Sequence, residues 1–453
     1  MRSWLPHLLL IGENSPLARG MNPSLLVAGS FLLLIVLGAV LLQMPWATTE
    51  AITASDAWFT ATSAVTVTGL GVVDTGSRFT VAGQVVIMVL MQFGGIGIMT
   101  FAALALLLLG QHLGLGEQRL VREAMNYTRV SDLGWLVKRI VVLVFIIEGI
   151  GALLLFLYLV PELGLGQGLY QSIFFTISSF NGGGLSLYGD SLARWAGEWP
   201  ITLIMGGLII IGGLGFTVLA ELRSFKSWFQ LSLHSKLMLT GSAGLLLFAF
   251  LIVVLFEWNN PETLGMYNAQ EKFWVAVFHA ITPRSAGLSM INMGSVTLTV
   301  SVLVIVLMFI GGGTNSAASG IKVTTFMVLV LSTRAFLRGR DAPVAFGRRI
   351  PPSVILRSLA LAFIAMMFVL SALFLISITD SHLGFLPLFF EVVSALGAVG
   401  LSMGITEYFS EPGRGILMVC MFIGRIGPLT LVFLLAKPSA LRVRHPDGDV
   451  HIG

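Results

Sequence analysis

Four strings in this chain are suited to one kind of chemistry, the coordination of a bare cation by backbone oxygen. They are TVTGL (66–70), NGGGL (181–185), RSAGL (284–288) and GAVGL (397–401). Aligned on the closing Gly-Leu, they place Gly69, Gly184, Gly287 and Gly400 in register at spacings of 115, 103 and 113 residues. Each closes a semi-apolar segment, such as DAWFTATSAVTVTGL, that is too short to cross a bilayer, for which a helix needs about 20 residues. The segments are too apolar for simple loops and read as re-entrant. Non-helical backbone at membrane depth must be buried in protein or line an aqueous path. Four such strings about one axis would aim their carbonyls at a common centre, where oxygen replaces a cation's hydration shell. Short helices entering from one side would point their negative C-terminal ends there, and glycine supplies torsions that a side chain forbids. The candidate ion-binding residues are Val67, Thr68, Gly69, Gly182, Gly183, Gly184, Ser285, Ala286, Gly287, Ala398, Val399 and Gly400. The plainer reading of any one glycine is close helix packing, but four in register favour the ion site.

A second feature is GGGTNSAASGIK (311–322), which interrupts an apolar stretch running from about 296 to 333. That stretch is too long for one crossing, so its middle can leave the helix while both ends span. Gly311, Gly312, Gly313, Thr314, Asn315 and Ser316 would then form a small, polar loop beneath the four strings, read here as a gate. The competing reading is a packing kink. Arg425 occupies the aligned position in the fourth unit, and an arginine within a span is by default a functional hypothesis. It would repel cations, hold the loop through its carbonyls, or pair with a carboxylate. Lys322 either assists or snorkels toward the cytoplasm. Glu148 reads as a buried hydrogen-bonding group, Glu391 and His279 as anchors of re-entrant helices, and Arg284 as a brace for the third string.

These residues need a membrane scaffold, and the composition supplies one. Of 453 residues, 56% are hydrophobic and 11% charged, with a mean hydropathy of +0.92, which excludes an ordinary soluble domain. The lone Cys420 excludes a disulfide framework. Neither a nucleotide-cradling G-x-x-x-x-G-K-[ST] loop nor an H-E-x-x-H zinc helix occurs, so no catalytic residue is assigned and the chain is not read as an enzyme. Eight segments are long enough to span, at roughly 24–44, 83–110, 137–160, 199–222, 236–257, 296–333, 356–378 and 414–436. Span, short segment, span recurs four times, over 1–110, 111–222, 223–333 and 334–453. The second spans repeat FGGIG (93–97), IGGLG (211–215), IGGGT (310–314) and IGRIG (423–427). Phe59, Phe174 and Phe390 align with Val277, and Ser63, Ser178 and Ser394 align with Ile281. The expected fold is an all-α polytopic membrane protein, with four span, re-entrant pore loop, span repeats around a pseudo-fourfold axis and eight transmembrane helices. Nineteen of the 26 Lys+Arg fall on the side of the termini, which places both termini in the cytoplasm. The start, MRSWLPHLLLIGENSP, reads as a cytoplasmic end rather than a signal peptide. Trp58, Trp195 and Trp199 sit near span ends, as interfacial anchors do.

The ordered set TVTGL, NGGGL, RSAGL and GAVGL resembles the Trk/Ktr/HKT superfamily of potassium transporters, specifically its Ktr-type membrane subunit, over nearly the whole chain. The resemblance implies a filter for potassium, the only metal involved, with glycine at all four positions favouring potassium over sodium. Relatives with serine in the first position admit sodium; here Gly69 stands there. It further implies an intramembrane gate loop with a nearby arginine, and sodium as a candidate activator. A homodimer in the plasma membrane, seated on a cytoplasmic nucleotide-binding regulatory ring, also follows from it. This chain binds no nucleotide and no nucleic acid, and its basic loops face membrane lipid or that ring. A sodium-permeable or weakly selective transporter of the same fold is the alternative.

Overall fold

The computed structural model describes residues 23–97, 133–223, 227–314 and 316–427. The expected N-terminal end, the far parts of the spans at 83–110 and 414–436, the C-terminus and Asn315 lie outside these residues.

Long runs of Leu, Val, Ile and Phe with few charges make the described chain helical. The helices are α1 (Pro23–Leu42), α2 (Ala54–Thr66), the short α3 (Thr75–Arg78), α4 (Val81–Ile96), α5 (Leu133–Asn181), α6 (Trp199–Leu214) and α7 (Phe216–Arg223). They continue with α8 (Leu233–Glu257), α9 (Ala269–Ile281), α10 (Leu298–Phe309), α11 (Val323–Leu337), α12 (Pro352–Thr379), α13 (Phe385–Gly397) and α14 (Glu411–Ile426). A hairpin, β1 (Val344–Ala345) against β2 (Arg348–Arg349), sits in the basic 333–357 loop. Three described helices are long and apolar enough to cross a membrane, or four if the bent pair α6 and α7 is one span. On α12, Leu356, Leu359, Phe363, Leu370, Phe374 and Ile378 point outward, an apolar face that only lipid solvates well.

The stretch read as a span at 199–222 is not one straight helix: α6 and α7 meet at a 102° bend. Gly215 makes the bend, with φ 93 and ψ 139, a conformation closed to most L-residues. Gly97 (φ 88, ψ 130) and Gly427 (φ 94, ψ 134) end α4 and α14 in the same way. The span expected at 296–333 breaks between Phe309 and Val323, where the sequence interruption lies.

Four short helices carry the Gly-Leu strings: α2, the second limb of α5 (which breaks at Gly164, φ 76), α9 and α13. Capping boxes start two of them. Thr53 and Asp56 exchange bonds at the head of α2, and Asn268 and Glu271 do so at α9. Phe59, Phe174 and Phe390 are fully buried beneath the strings. In the third short helix the fully buried ring is Phe278, one residue after the aligned Val277. Trp195 is not an interfacial anchor. It is buried and packs edge-on to Phe175 and Tyr188 at centroid distances of 5.6 and 5.5 Å.

Candidate functional site

The twelve candidate ion-binding residues come together. A Cβ built on Gly69 would lie 2.7 Å from Gly184 Cα, one on Gly184 would lie 3.0 Å from Gly287 Cα, and one on Gly287 3.2 Å from Gly400 Cα. One on Gly400 would lie 2.9 Å from Gly69 Cα, which closes the ring. The same directions meet the carbonyl oxygens of Gly183, Ala286, Val399 and Thr68, each the residue before the closing glycine of the next string. Cyclic order and close approach leave no room for a side chain at any of the four positions.

Short-range sequence explains how each strand turns off its helix. Val67 N and Thr68 N donate to Ala64 O and Ser63 O at 3.2 and 2.8 Å, the paired bonds of a Schellman closure. Gly182 and Gly183 repeat the pair onto Ser179 and Ser178, and Ala398 and Val399 onto Ala395 and Ser394. The closure demands a left-handed residue. Glycine fills that place at Gly182, but Val67 (φ 56) and Ala398 (φ 45) adopt it too, as does Ser285 (φ 65) in the third string. Val67 is β-branched, and such a residue in this region is a marked outlier that stores strain. Positive φ at the first and third residues of each triplet, as at Val67 and Gly69, alternates the hand of the backbone and turns successive carbonyls to one side. Sequence reasoning named these positions but not their strain.

The aligned serines tie the strands down. Gly69 N donates to Ser63 Oγ and Gly400 N to Ser394 Oγ, both at 3.0 Å, while Ser178 Oγ donates to Leu185 O at 2.8 Å. The alignment of Ile281 with these serines is corrected: Thr282 supplies the hydroxyl, donating to Leu288 O. The spacing to the closing glycine is one residue shorter in this string, which displaces both Phe278 and Thr282 by one. Arg284 donates to Ser242 Oγ at 3.0 Å and so ties the third string to α8. Met290 N donates to His279 Nε2 at 3.2 Å, and Glu391 accepts from Ser402 and Thr406, so both residues anchor the chain beyond the strings. Asp56 and Arg414 form an ion pair of 2.9 Å between α2 and α14. The expectation that the chain holds no G-x-S-x-G string is corrected: GLSMG (400–404) has the spacing of a hydrolase nucleophile elbow. No strand precedes it, and Ser402 donates to a carboxylate instead of facing a histidine base.

The loop between α10 and α11 is held from several sides. Gly313 N and Ala317 N donate to Gly213 O and Gly212 O at 2.8 and 3.3 Å, on the last turn of α6. Thr314 Oγ1 lies 3.0 Å from His234 Nε2 at the start of α8. Ser316 Oγ donates to Gly313 O and Lys322 Nζ to Ala318 O, both at 2.8 Å. Gly311, Gly312 and Gly313 are buried, and a Cβ on any of them would strike backbone oxygen within 2.8 Å. Arg425 reaches across, donating to Ala317 O in the loop and to Gly94 O and Gly95 O on α4, the last at 3.1 Å. Its partners are thus carbonyls, the second of its three expected roles.

The chain matches the family model TrkH, cation transport protein, over residues 13–444. It is 45% identical over 432 residues to the Ktr system potassium uptake protein B of Bacillus subtilis (strain 168), covering 95% of this chain and 97% of that one. It is 39% identical to the protein of the same name from Vibrio alginolyticus, covering 96% of each. The potassium/sodium uptake protein NtpJ of Enterococcus hirae is 34% identical, over 96% of this chain and 98% of its own. These relatives are ion transporters, not enzymes. The crystal structure of the potassium transporter TrkH from Vibrio parahaemolyticus superposes with a TM-score of 0.73 at 20% identity, over 92% of this chain and 85% of that one. The fold is that of a helical membrane protein.

Proposed function

This chain belongs to the TrkH family of cation transport proteins, and from that premise we propose that it is the membrane subunit of a potassium uptake system. In this reading, four span, re-entrant, span units at 1–110, 111–222, 223–333 and 334–453 surround a pseudo-fourfold axis, with eight transmembrane helices. Val67–Gly69, Gly182–Gly184, Ser285–Gly287 and Ala398–Gly400 form the filter. Gly311–Ser316, Lys322 and Arg425 form the gate. The observation that carries the reading is the closed ring of Gly69, Gly184, Gly287 and Gly400. A dehydrated potassium ion needs oxygens from all sides at once, and strands of alternating hand supply them without any side chain. The loop and its arginine lie on the side of the ring toward the broken ends of α4, α6 and α14, where a gate would act.

The two relatives named as parts of a Ktr system support a partner, assigned here to the nucleotide-binding ring beneath a homodimer of this chain. The membrane is the plasma membrane, with both termini cytoplasmic. The Enterococcus hirae relative is named for potassium and sodium, which makes sodium permeation the second reading. Uptake of potassium against sodium into liposomes, by the purified chain and by a form lacking 314–319, tests the pore, the gate and the filter. The loop-deleted form should pass potassium in excess and faster than the parent. Folded, loop-deleted protein that passes neither ion would overturn the pore; equal passage of both would overturn the potassium filter.

A further inference from the structure

Between the arginine and the ring lies a polar cluster that the proposed ion path does not use. Glu148, in the first limb of α5, is 6% exposed, and its partners are two amides. Gln92 Nε2 donates to its two carboxylate oxygens at 3.0 and 2.8 Å, and Asn181 Nδ2 donates to Oε1 at 3.0 Å. Asn181 Nδ2 also lies 2.9 Å from Gln92 Oε1 and 3.1 Å from Ile177 O, so its two hydrogens are shared among three acceptors. A carboxylate this deep in a membrane helix is expensive to keep without a strong reason.

The donor count supplies the reason. Gln92 and Asn181 both aim amide hydrogens at position 148, and the carbonyl oxygen of Gln92 is already taken by Asn181. Position 148 must therefore accept at both oxygens, from Gln92 and Asn181 at Oε1 and from Gln92 again at Oε2, which an ionised carboxylate does; a glutamine could accept at one oxygen only and would set its own NH2 against the Gln92 amide. What the cluster holds is Asn181, the last residue of α5, directly before the left-handed Gly182 that begins the triplet Gly182–Gly184. Asn181 Oδ1 has no hydrogen-bond partner, so beyond packing the amide is oriented only through Nδ2. That oxygen packs on Gly95, where a Cβ would lie 2.0 Å from it, and Gly95 O accepts Arg425 at 3.1 Å.

We propose that Glu148 is a positioning residue for ion selectivity. Braced by Gln92, it fixes Asn181, and through Asn181 the turn that delivers Gly182, Gly183 and Gly184 to the ring. This inference rests on the filter reading above. It does not require Glu148 to touch the ion. Its negative charge is needed as an acceptor, at a point where α4, α5 and the seat of the arginine meet.

The test is the ratio of potassium to sodium flux in liposomes, with thermal stability measured alongside. Glu148→Gln should lower the ratio about tenfold, the loss expected of one hydrogen bond to a charged group. The exchange pair Glu148→Gln with Gln92→Glu puts the acceptor-only group at 92, where both remaining amides can donate to it, and should restore the ratio to within about threefold of the parent. A purely structural role would instead lower thermal stability and leave the ratio of the folded variant where it was, which would overturn the proposal. Should Glu148→Gln not fold, Asn181→Ala must lower the ratio equally, and an unchanged ratio there would overturn it too. Gly69→Ser separates the two readings. If it lowers the ratio while Glu148→Gln does not, this inference alone fails; if neither moves the ratio, the filter assignment falls with it.

Discussion

Arg425 offers the sharpest test of the gate, because two of its expected roles make opposite predictions for one conservative change. As an electrostatic barrier it acts by charge, and Arg425→Lys should leave flux where it was. As a tether it acts by shape. The guanidinium forks between Ala317 O in the loop and Gly94 O and Gly95 O on α4, whereas an ammonium is a compact point charge on a flexible stem. A hydrogen bond to a charged group contributes about 1.5 to 3 kcal/mol, and only the bond to Ala317 joins the loop to the frame through this residue. Losing it should shift the balance between seated and displaced loop by about tenfold to a hundredfold. The backbone bonds to Gly212 and Gly213 and the Thr314–His234 contact remain, so the loop loosens without falling out. Potassium flux into liposomes should therefore rise at least several-fold in both Arg425→Ala and Arg425→Lys, more in the former. Folded Arg425→Lys protein with parental flux would refute the tether and leave only the barrier.

Three further outcomes follow from the same geometry. Gly69→Ser must fit a Cβ 2.7 Å from Gly184 Cα at φ 93, so the first strand has to withdraw; its potassium to sodium flux ratio should fall about tenfold or more. Ser63→Ala and Ser394→Ala each remove the acceptor of a strand amide, at about 1 kcal/mol apiece, and should each lower the ratio several-fold with little change in melting temperature. His234→Ala frees Thr314 and should raise basal potassium flux a few-fold, less than Arg425→Ala does, as measured in the same liposomes.

How much could be read in advance depended on whether a feature lives in residue type or in torsion. The four glycines announced themselves because the ring admits no Cβ, and a requirement for absence of a side chain is visible in sequence. The strain at Val67, Ser285 and Ala398 was not visible, since nothing in those residue types asks for positive φ. The closure around them imposes it. Thr282 and Phe278 were missed for a different reason. An ungapped alignment cannot show that the third string is one residue shorter between its anchoring hydroxyl and its closing glycine, and only the hydroxyl on Leu288 O and the buried ring show the shift. The bend at Gly215 was hidden by hydropathy, which stays high through IIIGGLGF and is blind to a single torsion. The cluster of Glu148, Gln92 and Asn181 draws on residues 33, 56 and 89 positions apart, far beyond any local pattern.

The broken helices and the loop account for each other. A helix that stops inside a membrane leaves carbonyls in its last turn without partners, a heavy cost where no water can reach them. The breaks after α4 and α6 create two such sets. Gly212 O and Gly213 O, on the last turn of α6, receive the amides of Ala317 and Gly313. Gly94 O and Gly95 O, on the last turn of α4, receive Arg425. The same groups carry the negative end of each helix dipole, which suits a guanidinium held there. Glycine at these positions lets the loop and Asn181 approach the backbone closely, since a Cβ on Gly95 or Gly313 would strike oxygen at 2.0 or 2.4 Å. The loop is therefore seated on bonds that the breaks made available. Straightening α6 with Gly215→Ala would remove the loop's acceptors as surely as deleting the loop's own donors, and should raise basal flux even though residue 215 lies outside the loop.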